Sequence, residues 1–74
     1  MAKLPQLTGA EVIRRLKRLG FLEDHSKGGH VVLRHADTGV MVVVPRHGSK
    51  TIKKGTLHGI LKQAGVPIQE FLDA

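Results

Sequence analysis

Two periods of apolar spacing run through this chain, and the changes between them fall at glycines. From Thr8 to Leu19 the period is helical. Val12, Ile13, Leu16 and Leu19 fall within an arc of about 120° at 100° per residue. Arg14, Arg15, Lys17 and Arg18 fill the opposite side, as a solvated or phosphate-binding face. Thr8-Gly9-Ala10-Glu11 fits a capping box, with Thr8 as N-cap and Glu11 reaching back to it. Gly20 stands where a left-handed residue ends a helix. A short, weakly patterned strand is predicted from Phe21 to His25, then a turn at Ser26-Lys27-Gly28-Gly29.

His30 to His35 alternates with period two. Val31, Leu33 and His35 face one way; His30, Val32 and Arg34 face the other. Ala36-Asp37-Thr38-Gly39 is a hairpin turn, and Val40 to Val44 is the next strand, stopped by Pro45. That strand is apolar on both faces. Helices cover only one side of so small a sheet, so the other side is a candidate protein interface. A second helix is expected from Gly55 or Thr56 to Ala64, with Leu57, Ile60, Leu61 and Ala64 as its stripe and Gly65 as its stop. Pro67 opens a last short helix, Ile68 to Leu72. The expected fold is α+β, of order α-β-β-β-α with a short C-terminal helix. Its three-stranded antiparallel sheet carries helices on one face, in one domain over residues 1–74.

Composition narrows the chemistry. With no cysteine among 74 residues, disulfides and thiolate metal sites are excluded. With no Trp or Tyr and only two Phe, the core must be aliphatic, and stacking on unpaired bases is a poor mode of binding. Twelve Lys and Arg against six Asp and Glu give a net charge of +6, which points to a polyanionic ligand. The longest apolar run, Val40 to Val44, is too short to cross a bilayer, and residues 1–5 do not read as a signal peptide. The expected location is cytoplasmic.

Five histidines are the candidate catalytic groups, since imidazole carries protons both ways near neutrality and the acids are scattered. His30 is the best placed. It follows Gly28-Gly29, which permit close approach of a ligand to the backbone, and opens a strand on the face that also holds Arg34. Such an imidazole beside a cation can hold a phosphodiester and move its protons. An ordinary strand-end histidine fits the same spacing. His25, His35, His47 and His58 carry less weight, and no ligand spacing for a metal is present. Arg46 to Lys54 forms a basic loop, containing His47, Lys50 and Lys53, that leads into a helix N-terminus, a natural phosphate site.

These residues, in this order, resemble the HicA (YcfA-like) toxins of toxin–antitoxin pairs. Val12-Ile13-Arg14-Arg15-Leu16 through Leu19-Gly20-Phe21 is similar to the family's opening helix and Gly-Phe turn. Lys27-Gly28-Gly29-His30 is similar to its G-[SG]-H turn, and Val42-Val43-Val44-Pro45 with His47 to its V-V-P-x-H strand end. Lys54-Gly55-Thr56-Leu57 with Ile60 to Gly65 is similar to its K-G-T-L…I-L-K-Q-A-G helix. The resemblance spans roughly Glu11 to Leu72.

The resemblance implies a double-stranded-RNA-binding-like fold and an mRNA-cleaving endoribonuclease that needs no cofactor. Its catalytic histidine falls on His30, and no metal is implied. RNA contacts are expected from Lys27, Gly28, Gly29, Arg34, Arg46, His47, Lys50, Lys53 and Lys54. A HicB-type antitoxin is the implied partner, covering the active face, with operator DNA bound only through the antitoxin complex. The family often has serine where Gly29 stands, a small departure. Two rival readings remain: a non-catalytic RNA-binding module of the same fold, and a structural subunit whose basic faces dock an acidic protein.

Overall fold

The computed structural model describes residues 4–74. Of the segment 1–5 read above for a signal peptide, residues 1–3 lie outside the described residues. The elements follow in the order α1 (Gly9–Arg18), β1 (Phe21–Lys27), β2 (His30–His35), β3 (Met41–Pro45), α2 (Lys54–Ala64) and α3 (Ile68–Asp73). The three strands form one antiparallel sheet, β1-β2-β3, with β2 in the centre. This is the small α+β architecture expected from the periodicities.

The capping box holds α1 at its start. Thr8 Oγ1 accepts from the Glu11 amide at 3.3 Å, and the Glu11 carboxylate accepts from the Thr8 amide at 3.2 Å. Gly9 is buried where α1 meets the end of β3. A β-carbon built there would lie 2.8 Å from the Cα of Arg46, so only glycine lets the helix start this close. At the other end Gly20 takes φ +100° and turns the chain into β1.

The helices cover one face of the sheet. Val12, Ile13 and Leu16 of α1, Leu57, Ile60 and Leu61 of α2, and Phe71 of α3 pack against Phe21, Val31, Leu33, Val42 and Val44. Leu4, Leu7 and Ile52 complete this core from irregular segments that the periodicity did not identify. They are joined there: the Ile52 amide donates to the Leu7 carbonyl at 2.7 Å, and Thr8 pairs with Thr51 in an isolated bridge. The opposite sheet face is bare. Leu22, Met41 and Val43 are 62, 44 and 44% exposed, as the doubly apolar third strand predicted.

Several boundaries differ from the sequence reading; β3 starts at Met41 rather than Val40, and α3 runs one residue further, to Asp73. β1 continues to Lys27, because Gly28 and Gly29, both at positive φ, suffice for a two-residue hairpin of the primed kind. Ser26 and Lys27 are therefore strand, not turn. A bulge at Asp24 shifts the β1–β2 register, which explains the weak alternation of that strand. Pro45 closes β3 from inside, and α2 begins at Lys54 with Lys53 as its cap.

Candidate active site

Antiparallel register fixes which side chains share the bare face. Lys27, His30 and Pro45 stand in one row across the sheet. His25, Val32 and Val43 form the next row, and Leu22, Arg34 and Met41 the last. His30 thus has Lys27 as its direct neighbour, one residue beyond the glycine turn on the central strand. Strands on both sides fix its backbone.

The chain after β3 folds back onto the same turn. The Arg46 amide donates to the Gly29 carbonyl at 2.6 Å. That bond carries His47 over Gly29, where a built β-carbon would lie 2.5 Å from His47 Cε1 and 2.7 Å from its Nδ1. The room next to Gly29, expected to admit a ligand, is therefore filled by the His47 ring, whereas a β-carbon at Gly28 meets nothing. The rings of His30 and His47 lie edge to face, with centroids 5.9 Å apart and planes at 90°. Both residues are exposed.

Cations surround this pair. Lys50, Lys53 and Thr56 line a shallow groove with His47 and Pro45, running toward the start of α2, and Lys54 opens that helix. Arg46 reaches across to Glu23, with Nη1 3.5 Å from its carboxylate. Arg34 is not brought to His30. It stands at the far end of the face, 3.7 Å from Asp24. The Asp24 carboxyl is held below its usual range, first by the hydrogen bond from His25 at 2.7 Å and then by Arg34.

The other histidines have structural engagements or none near this site. His35 Nε2 bonds the Leu19 carbonyl at 3.1 Å, and its Nδ1 accepts from the amides of Asp37 and Thr38. Its ring also stacks edge-on with Phe21 at 5.0 Å. These bonds hold the His35 ring in place against the 36–39 turn. His25 is engaged with Asp24, and His58 is exposed on α2. By contrast, no side-chain hydrogen bond engages the ring of His30 or His47 among the described residues. Among the same residues, no three His, Cys, Asp or Glu come together as a metal-holding group.

The basic back of α1 is partly spent on packing. Arg15 donates to the Phe71 and Leu72 carbonyls at 3.4 and 3.0 Å and lies over the Phe71 ring, while Arg18 reaches Ala74. Both cap the end of α3 rather than an external phosphate. No helix of the described residues is long and apolar enough to cross a membrane.

Comparison with known families agrees with this layout. The profile described as "HicA toxin of bacterial toxin-antitoxin" matches residues 9–66 of the 74. The chain belongs to the HicA toxin family. It is therefore the toxin side of a toxin–antitoxin pair, a class that works opposite an antitoxin partner. A search of curated proteins gave no match. The matched region contains every strand, α1 and the whole candidate site, and ends just before α3. His47 is the residue whose position the sequence undervalued. Its hint was the spacing Pro45-Arg46-His47, which returns the chain to the glycine turn as soon as the strand stops.

Proposed function

We propose that this HicA toxin is an endoribonuclease that cleaves mRNA, with His30 as a general acid or base on the scissile phosphodiester. The observation that carries the reading is the exposed, unengaged His30 ring on a rigid central strand within a cationic rim. Lys27, Arg46, His47, Lys50, Lys53 and Lys54 contact phosphates around it, and the Gly28-Gly29 turn offers backbone amides. Arg34 sits farther along the same face and meets a more distant phosphate. Imidazole supplies the proton transfer and the cations attract the substrate, so the reaction needs no cofactor or metal.

A HicB-type antitoxin neutralises the toxin by docking on the bare sheet face, where Leu22, Met41 and Val43 lack intramolecular cover. That face is continuous with His30, so a bound antitoxin blocks RNA access. Operator DNA is contacted only through that complex, and the toxin acts in the cytoplasm.

Cleavage of a long mRNA by the wild type and His30→Ala, in EDTA, tests the proposal. Losing a general acid or base lowers the rate by about 10²–10⁴. An alanine variant as fast as the wild type removes the mechanism. Arrest of the wild type by EDTA removes metal independence. Tight RNA binding without cleavage by either protein would instead favour the non-catalytic module.

A further inference from the structure

The geometry points to His47 as a second catalytic residue that shares the proton transfers with His30. This inference rests on the endoribonuclease reading. Breaking an RNA strand by internal attack moves two protons. The 2′-hydroxyl gives up its proton as the O2′–P bond forms. The 5′-oxygen takes one as the P–O5′ bond breaks, leaving a 2′,3′-cyclic phosphate and a 5′-hydroxyl. The attacking and leaving oxygens stand on opposite sides of phosphorus, so one ring does not reach both at once. The ring that gained a proton and the ring that lost one exchange with solvent afterwards, and no other reactant is consumed.

The second donor or acceptor must therefore come from another group within about 2.6–3.2 Å of the bound phosphate. The charged groups at this end of the sheet are Lys27 from β1 and Arg46, Lys50 and Lys53 from the loop, with Glu23 tied to Arg46. Lysine and arginine side chains as classes titrate far above neutrality and hold phosphate rather than shuttle protons. His25, in the next row of the same face, is engaged with Asp24, and His47 is the imidazole packed against His30. Its ring centroid is 5.9 Å from that of His30, with the planes at right angles, so the two rings are close enough to flank a single phosphate group. Its Cε1–Nδ1 edge rests on Gly29, which leaves Nε2 as the nitrogen free for substrate. The glycine at residue 29 is thus the floor under the second ring.

The test compares His47→Gln with His30→Ala on an RNA oligonucleotide spanning a mapped cleavage site. A second substrate replaces the 5′-bridging oxygen by sulfur, a leaving group that needs no proton. Each variant should lose about 10²–10⁴ in kcat on the oxygen substrate. Affinity for a non-cleavable 2′-deoxy analogue should fall by less than about tenfold, the loss of one exposed contact. One of the two variants should recover on the sulfur substrate, which also shows that it is folded. The bell-shaped pH profile of kcat/KM should lose its acidic limb when the base is removed and its alkaline limb when the acid is removed. The inference is overturned if His47→Gln keeps both limbs and the wild-type kcat, loses only affinity, or loses kcat with neither variant recovering on sulfur. An active His30→Ala variant, or an inactive wild type, overturns the endoribonuclease reading itself.

Discussion

At the scale of single residues, the two glycines of the hairpin turn look alike in sequence and differ in space. Gly28 at φ +57° lies in the left-handed region that Asn tolerates, with nothing within 4 Å of a built β-carbon. Gly29 at φ +85° has the His47 ring against it. Gly28→Asn should leave urea stability within about 0.5 kcal/mol, whereas Gly29→Ala should cost about 1 kcal/mol or more and displace His47. On the proposed mechanism, Gly29→Ala also loses cleavage while keeping every catalytic side chain. Equal melts and equal rates for the two variants would refute the distinction. The serine that the resemblance allows at residue 29 is therefore not a small change in this chain. The histidines show the same limit of sequence. Spacing favoured His30 through its strand and turn, but could not separate His35, locked by the 36–39 turn, from His47, whose partner is remote in sequence. That sorting comes from contacts between elements.

At the scale of elements, helices were legible because their signals are local. The Thr8–Glu11 capping box, the apolar stripes of α1 and α2, and the left-handed stop at Gly65 all appear in the structure. β1 was less legible, because a bulge breaks the alternation that identifies a strand. Leu4, Leu7 and Ile52 are buried without any period, since their segments are held by tertiary pairing.

The capping box carries two predictions. Thr8→Ala should cost about 1 kcal/mol in urea unfolding. The Glu11 carboxyl is held below its ordinary value of 4.5, chiefly by the Thr8 amide and then by the Thr8 hydroxyl. A depressed carboxylate stabilises the fold above its unfolded pKa, and that stability is lost as pH falls through the folded pKa. Melting temperatures of the wild type and Glu11→Gln should therefore differ near neutrality and converge below pH 4.5. A constant gap across that range would mean that the ionised cap contributes nothing.

At the scale of the whole molecule, the sheet separates two surfaces: a helix-covered core and a bare face rimmed with cations. The net charge of +6 predicts RNA binding that weakens steeply with salt. For single strands, each lost phosphate contact should reduce the slope of log K against log salt by about 0.7. Lys50→Ala and Lys53→Ala should each show that change, and an unchanged slope would remove the loop from the RNA path. Leu22→Ser and Val43→Ser should leave unfolding stability within about 0.5 kcal/mol, because neither side chain enters the core. Both should weaken co-purification with the antitoxin; full retention would place that interface elsewhere. The bareness of this face was legible from the Val40–Val44 run alone, because the helices cover only one side of so small a sheet.

The two facing imidazoles are mounted on supports of unequal stiffness. His30 is clamped between neighbouring strands, while His47 rides on a connecting segment pinned by the Arg46–Gly29 and Ile52–Leu7 bonds. Shortening, lengthening or stiffening the stretch between those pins should therefore tune toxicity in graded steps, with the melting point almost untouched.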